Sequence, residues 1–267
     1  MNTLLRGLLL AAAVTGTGAQ AAVTTVTPAD MGPGLNKWNT ANVRSGSSAA
    51  ITNTNPRNGN GSVEMSLADS VGKADFAYTW GYDTTRTLGS LNTLSYDWYR
   101  AASSNAADHF QPAFRLFYDA DGDASTTSDT GYLIYENIYN GNNVTEGAWR
   151  TDNIIGANFW MRQFTPGNTV EAFDITLAEW MGGAHPTAVA DILSTRTAIL
   201  GIEFGIGSGW NGSFTGFVDN VSYGFGNDVT TFNFETAAAN DVPEPGSFAL
   251  MGLGVFAALG ARKRKQV

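Results

Sequence analysis

The sequence predicts an all-β protein, an antiparallel β-sandwich of the jelly-roll kind, flanked by an N-terminal signal peptide and a C-terminal single transmembrane helix. Three observations predict it. Apolar and polar residues alternate along many short runs, the period of a half-buried strand. Turns rich in Gly and Asn separate those runs, with 31 glycines in 267 residues. A helix-start signal with a mechanism appears once, and no βαβ rhythm is present, so about ten to twelve strands are expected to pair antiparallel.

Residues 1–21 read as a secretory signal peptide. Arg6 precedes an apolar stretch from Leu8 to Val14 that is too short to span, and Ala19-Gln20-Ala21 gives the small-x-small pattern for cleavage between Ala21 and Ala22. The Sec translocon and signal peptidase are the partners this implies. From Val23 to Gly61 the chain reads as edge strands and loops, with Pro56 and the Asn-Gly pairs enforcing turns. Val63, Met65 and Leu67 then share one strand face, as do Phe76, Tyr78, Trp80 and Tyr82, and next Leu94, Tyr96 and Trp98.

Residues 113–118 and 132–139 are β-prone runs on either side of an acidic stretch, a hairpin with a long acidic tip. Two short strands follow near Trp149 and Trp160. Thr176-Leu-Ala-Glu179 is a capping box, so a helix of about two turns starts there and stops at Gly182-Gly183, and a second helical segment is expected near residues 187–194. Three alternating strands close the body: Leu200, Ile202, Phe204 and Ile206 on one face, then residues 214–223, then Phe232 with Phe234. The domains are thus 1–21, a sandwich over 22–236, a linker over 237–242 and a terminal signal over 243–267.

Composition excludes several functions. The chain has no cysteine, which removes disulfides, thiol catalysis and cysteine-bound zinc. Between Ala22 and Val242 there are 10 basic and 23 acidic residues, a net charge of −13. Such a surface repels phosphates and has no basic cluster, so nucleic acid is not an expected partner, whereas cations and neutral polymers suit it.

The C-terminus carries a second address. Residues 245–261 are uncharged, a helix of about 25 Å, just enough to cross a hydrocarbon core. Arg262, Lys263, Arg264 and Lys265 follow and would stay in the cytoplasm, leaving the body outside. Val242-Pro243-Glu244-Pro245-Gly246, the short apolar span and the basic end together resemble the PEP-CTERM sorting signal. That resemblance implies recognition by an exosortase, a membrane-embedded cysteine transpeptidase, with processing at or near Pro243, Glu244 and Pro245. It implies an intermediate anchored in the inner membrane with its body in the periplasm, then delivery to the cell surface or beyond, and an association with exopolysaccharide and biofilm. Gly216-Phe217-Val218-Asp219-Asn220-Val221-Ser222 and Phe232 to Glu235 look like the closing strands of exported bacterial jelly rolls, some carbohydrate-binding modules among them.

Candidate sites in the body are few. Asp119, Asp121 and Asp123 place three carboxylates on one loop, either a calcium site or a solvated acidic turn. The loop departs from an EF-hand, with Ala124 at the sixth position and Thr130 at the twelfth. Asp219 shares a face with Phe217, Val221 and Tyr223, so if buried it needs a backbone amide, an arginine or a calcium. Tyr78, Trp80 and Tyr82 form either core or a stacking platform for sugars. Trp210, on a Gly-rich loop, and Trp38 are the possible glycan-binding residues. No catalytic residue is assigned: His109 and His185 stand apart, and Glu136, Glu171 and Glu203 are acids without a local cluster. The reading is therefore an exported, exosortase-processed surface or matrix protein without enzymatic activity, with no cofactor beyond a possible structural calcium. A carbohydrate-binding module is the alternative and a glycoside hydrolase the second.

Overall fold

The computed structural model describes residues 22–141, 144–183, 185, 186 and 189–237. Residues 1–21, expected to be a signal peptide, lie outside the described residues, as do Pro243, Glu244, Pro245, Arg262, Lys263, Arg264 and Lys265. Among the described residues no helix is long and apolar enough to cross a membrane.

The strands are β1 (Ala22–Val26), β2 (Trp38–Ala41), β3 (Ser47–Thr52), β4 (Ser62–Leu67), β5 (Lys73–Thr79), β6 (Leu91–Arg100), β7 (Ala113–Asp119), β8 (Thr130–Tyr135), β9 (Trp149–Asn153), β10 (Trp160–Gln163), β11 (Thr169–Val170), β12 (Ala198–Gly207), β13 (Phe214–Phe225) and β14 (Asp228–Phe234). They form two packed seven-stranded sheets. In the first, β13 is the spine: β6 and then β9 lie on one side, while β4 with β3 and then β14 with β1 share the other. The second runs β11-β10-β8-β7-β12-β5-β2. Pairing is antiparallel apart from β1, which lies parallel to β14.

Alternation builds the core as expected on most strands. Val63, Met65 and Leu67 face inward from β4, Leu94, Tyr96 and Trp98 from β6, and Phe232 and Phe234 from β14. Aromatic rings fill the space between the sheets: Trp38 stacks on Phe76 at 5.3 Å and meets Phe234 edge-on at 5.1 Å. Such ring pairs favour offset and edge contacts because the ring face is negative and its edge positive.

Two strands break the simple alternation. In β12 the register shifts between Ile199 and Gly201, so Ile199 joins Ile202, Phe204 and Ile206 in the core and Leu200 drops out of that stripe. In β13 the shift falls between Asp219 and Ser222, where Asn220 adopts a left-handed φ of 48°. An inserted residue flips the faces of everything beyond it. Val218 therefore shares the core with Val221 and Tyr223, and Asp219 does not lie on their face.

The helix α1 (Leu177–Gly182) has the expected cap. The Glu179 amide donates to Thr176 Oγ1 at 3.3 Å, the Glu179 carboxylate accepts from the Thr176 amide, and Gly183 closes the helix in the left-handed region. The second expected helix does not form over residues 189–194, where Gln163 Oε1 instead accepts from the Ala190 and Asp191 amides; Thr187 and Ala188 lie outside the described residues. Residues 137–139, expected to extend β8, turn into one 3-10 turn.

Candidate functional site

The acidic hairpin tip joins β7 to β8. Asp119 ends β7 and is 1% exposed. Its Oδ1 accepts the Gly122 amide at 3.0 Å, and its Oδ2 is buried without a hydrogen-bond partner. The Tyr82 hydroxyl stands beside it, and burial and the Asp119 carboxylate push that hydroxyl up. Burial pushes the Asp119 carboxyl up, the Tyr82 hydroxyl and the Gly122 amide pull against it, and the charges of Asp129 and Asp121 add to the rise. Asp129 Oδ2 accepts the Asp121 amide at 3.0 Å, while its Oδ1 is buried and unpartnered. Asp119, Asp121 and Asp129 bring carboxylate oxygens within 4.8 Å of one another.

Asp123, expected in this cluster, is elsewhere. Its Oδ1 accepts the Ser125 amide at 2.9 Å and the Ser125 hydroxyl at 2.8 Å, a local turn that points the carboxylate away. Asp129 takes its place because the antiparallel β7–β8 register sets Asp119 opposite Thr130. The pairing across the hairpin decides this, and spacing along the loop does not report it.

The outer face of the second sheet holds the other chemistry. Arg115 on β7 is buried and donates from Nη1 to Asp75 Oδ1 at 2.7 Å and to Glu203 Oε1 at 2.5 Å. Lys73 pairs with the same Asp75, whose Oδ2 also accepts from Asn42 Nδ2 at 2.8 Å, and Tyr132 donates to Glu203 Oε2 at 3.2 Å. Burial works to raise Asp75, yet Arg115 and Lys73 hold it below the usual carboxylate range; burial pushes Glu203 up against the pull of the same arginine. Gly205 makes the pair possible, since a Cβ there would lie 2.1 Å from Asp75 Oδ1.

Beside the ion cluster lie three rings. Phe117, Tyr132 and Phe164 stand 5.0–5.9 Å apart by centroid, Phe164 being 40% exposed. Tyr132, Phe164, Arg162, Arg44, Asn42 and Lys73 line a depression of about 320 Å³. Sequence reasoning missed this group, although Phe117 and Tyr132 occupy the outward positions of strands whose inward residues are Leu116, Tyr118 and Leu133.

The two tryptophans named as possible glycan contacts, Trp38 and Trp210, are in the core. Trp38 is 1% exposed, because β2 pairs with β5 and lays Trp38 beside Tyr78. Trp210 is 6% exposed: its ring stacks on Phe110 at 4.5 Å and meets Phe214 edge-on at 5.0 Å, so the Gly-rich loop folds down onto the sandwich. Of the Tyr78, Trp80, Tyr82 stripe, Trp80 is buried, Tyr78 partly so, and Tyr82 lies beyond the end of β5 and is exposed.

The other acids have structural partners or none nearby. Glu136 accepts from Trp160 Nε1 at 3.0 Å and burial pushes its carboxyl up; Glu171 is exposed. His109 packs on Phe110, and His185 lies near Trp180. Asp219 is fully buried and accepts the Phe234 amide at 2.9 Å and the Asn58 amide at 3.3 Å; of the three partners its sequence position called for, backbone amides are the ones in place. Burial pushes its carboxyl up to about 7.

Comparison with known proteins locates the address of the chain. Residues 241–265 match the PEP-CTERM protein-sorting motif, the mark of an exported protein that an exosortase processes and whose C-terminal sorting signal anchors it in the membrane. No curated protein matches the sequence. Among solved structures, a family 11 carbohydrate-binding module from Clostridium thermocellum, in complex with a mixed-linked tetrasaccharide, is 12% identical over 78% of this chain and 95% of its own, with a TM-score of 0.37. A carbohydrate-binding module specific for non-crystalline cellulose is 15% identical over 70% of this chain and 86% of its own, at 0.28. A β-1,2-glucanase from Parabacteroides distasonis is 14% identical over 69% of this chain and 22% of its own, at 0.34.

Proposed function

We propose that this chain is a non-enzymatic protein of the cell surface or extracellular matrix, associated with exopolysaccharide and biofilm, which reaches its place through exosortase processing near Pro243-Glu244-Pro245. The observation that carries this reading is the sorting motif at residues 241–265. Its test is fractionation of cells with and without the exosortase. The mature body is expected to leave the membrane fraction only when the enzyme is present, and Pro243→Ala with Pro245→Ala is expected to leave a larger, membrane-held form. Processing unchanged by those substitutions overturns the reading.

The chemistry of the body supports a non-catalytic role. Asp75 and Glu203 are two carboxylates with oppositely perturbed proton affinity, the kind of pair that glycoside hydrolysis uses. The Arg115 guanidinium fills the space between them, donating to both from one nitrogen. The arginine therefore occupies one oxygen of each carboxylate.

A second reading has its own observation. The rings of Phe117, Tyr132 and Phe164, beside Arg162 and Lys73, are suited to stack on sugar faces while the cations hydrogen-bond hydroxyls. This supports a glycan-binding body. Pull-down on the producing organism's exopolysaccharide and a glycan array are expected to lose signal with Phe164→Ala and to keep it with Val23→Ala, an exposed site on β1 of the other sheet. Equal retention by both variants rejects that face as the binding surface.

A further inference from the structure

We propose that Asp119, Asp121 and Asp129 form a binding site for a calcium-sized divalent cation at the tip of the β7–β8 hairpin. Three carboxylates lie within 4.8 Å of one another, and among the described residues no Lys or Arg forms an ion pair with any of them. Three exposed acids on a loop are ordinary, but this cluster is not wholly exposed. Asp119 is 1% exposed and its Oδ2 has no hydrogen-bond donor, and Asp129 Oδ1 is likewise buried and unpartnered. A buried carboxylate oxygen without a donor is costly unless a charge satisfies it. The other oxygen of each residue is fixed by a backbone amide, of Gly122 for Asp119 and of Asp121 for Asp129, so the free oxygens are held in place.

The surroundings favour oxygen coordination by a hard cation. Asp121 lines a cavity of about 380 Å³ with Tyr82, Thr84, Thr87, Thr195 and Arg196. Water and neutral oxygens on that side can fill the positions that three carboxylates leave, since calcium takes six to eight oxygens in flexible geometry and magnesium demands a tighter octahedron. The tip already rests on the segment before β12: Thr197 Oγ1 donates to the Ala120 carbonyl at 2.8 Å, and Gly122 lies so close that a Cβ would stand 2.5 Å from the Arg196 carbonyl. A cation held there pins the hairpin tip.

This site is independent of the glycan-binding face and of the sorting signal, so its test neither depends on nor decides those readings. The full chain in detergent is titrated with calcium chloride by calorimetry, and its thermal unfolding is followed in about 10 mM calcium, in the same magnesium concentration and in EDTA. One calcium per chain and a rise in Tm of about 5 °C over EDTA are expected, with a smaller rise in magnesium. Asp129→Asn and Asp121→Asn are expected to abolish the response, and Asp123→Asn to keep it. Asp119→Asn tests the buried ligand, and the two more accessible positions decide the matter if it does not fold. No calcium uptake by the parent chain, or an Asp129→Asn variant that responds like the parent, overturns the proposal; an equal response to magnesium overturns the assignment of ion size.

Discussion

Arg115 Nη1 is the donor shared by Asp75 and Glu203, and all three side chains are buried. Replacing it with Leu keeps packing volume but leaves Lys73 as the one ion-pair partner of Asp75, and leaves Glu203 with Tyr132 alone. Breaking a buried pair from one side costs about 3–5 kcal/mol because a charge is stranded, so Arg115→Leu is expected to lower the urea midpoint by that equivalent with an unchanged slope. Asp219 acts in the opposite sense. Its folded-state pKa is raised, to about 7 from an ordinary 3.8, so the folded state holds its proton more tightly than the unfolded one. That contribution is fully present below the unfolded value and is lost as pH rises through about 7, on the order of 4 kcal/mol across the window. Asp219→Asn keeps a neutral acceptor for the Phe234 amide. Denaturation midpoints measured from pH 4 to 8 are therefore expected to show the parent losing stability relative to this variant as pH rises; parallel curves reject the shift.

At the scale of elements, the clearest local signal is the cap of α1, because all of its partners lie within four residues. Thr176→Ala removes the acceptor for the Glu179 amide and the hydroxyl that donates to Glu179 Oε2 at 2.7 Å. A loss of about 1 kcal/mol is expected, read as a small shift in the denaturation midpoint. Local chemistry also made the strands legible: Val63, Met65 and Leu67, or Phe232 and Phe234, face the core as their alternation says. It failed where one residue changes parity. Leu200 is as apolar as Ile199, so nothing in the run itself says which of them the shift in β12 expels. Asn220 tolerates the left-handed region better than most residues, a signal present in the sequence that alternation alone overlooks. The acidic tip failed similarly, since Asp129 meets Asp119 through strand pairing and Asp123 is only nearer along the chain.

For the whole molecule, two packed sheets were legible because most of the long strands carry an apolar face; which outer face stays open was not. Trp38 and Trp210 looked like exposed platforms because each sits among polar residues, yet β2 pairs onto β5 and the Gly-rich loop closes on Phe110, placing both within the core. Phe117, Tyr132 and Phe164 form a partly exposed platform on the outer side of the second sheet. It belongs to a body of net charge −13, and that charge restricts what can approach. An anionic polymer meets long-range repulsion that salt screens over about 10 Å at 0.1 M, whereas a neutral polymer meets none. Retention of the protein on a neutral polysaccharide is therefore expected to be flat from about 10 to 500 mM sodium chloride, and retention on an acidic one to rise with salt. Co-sedimentation with the two polymers across that range checks it. Loss of binding to both as salt rises would mean that local cations such as Arg162 and Lys73 dominate recognition over the field of the whole body.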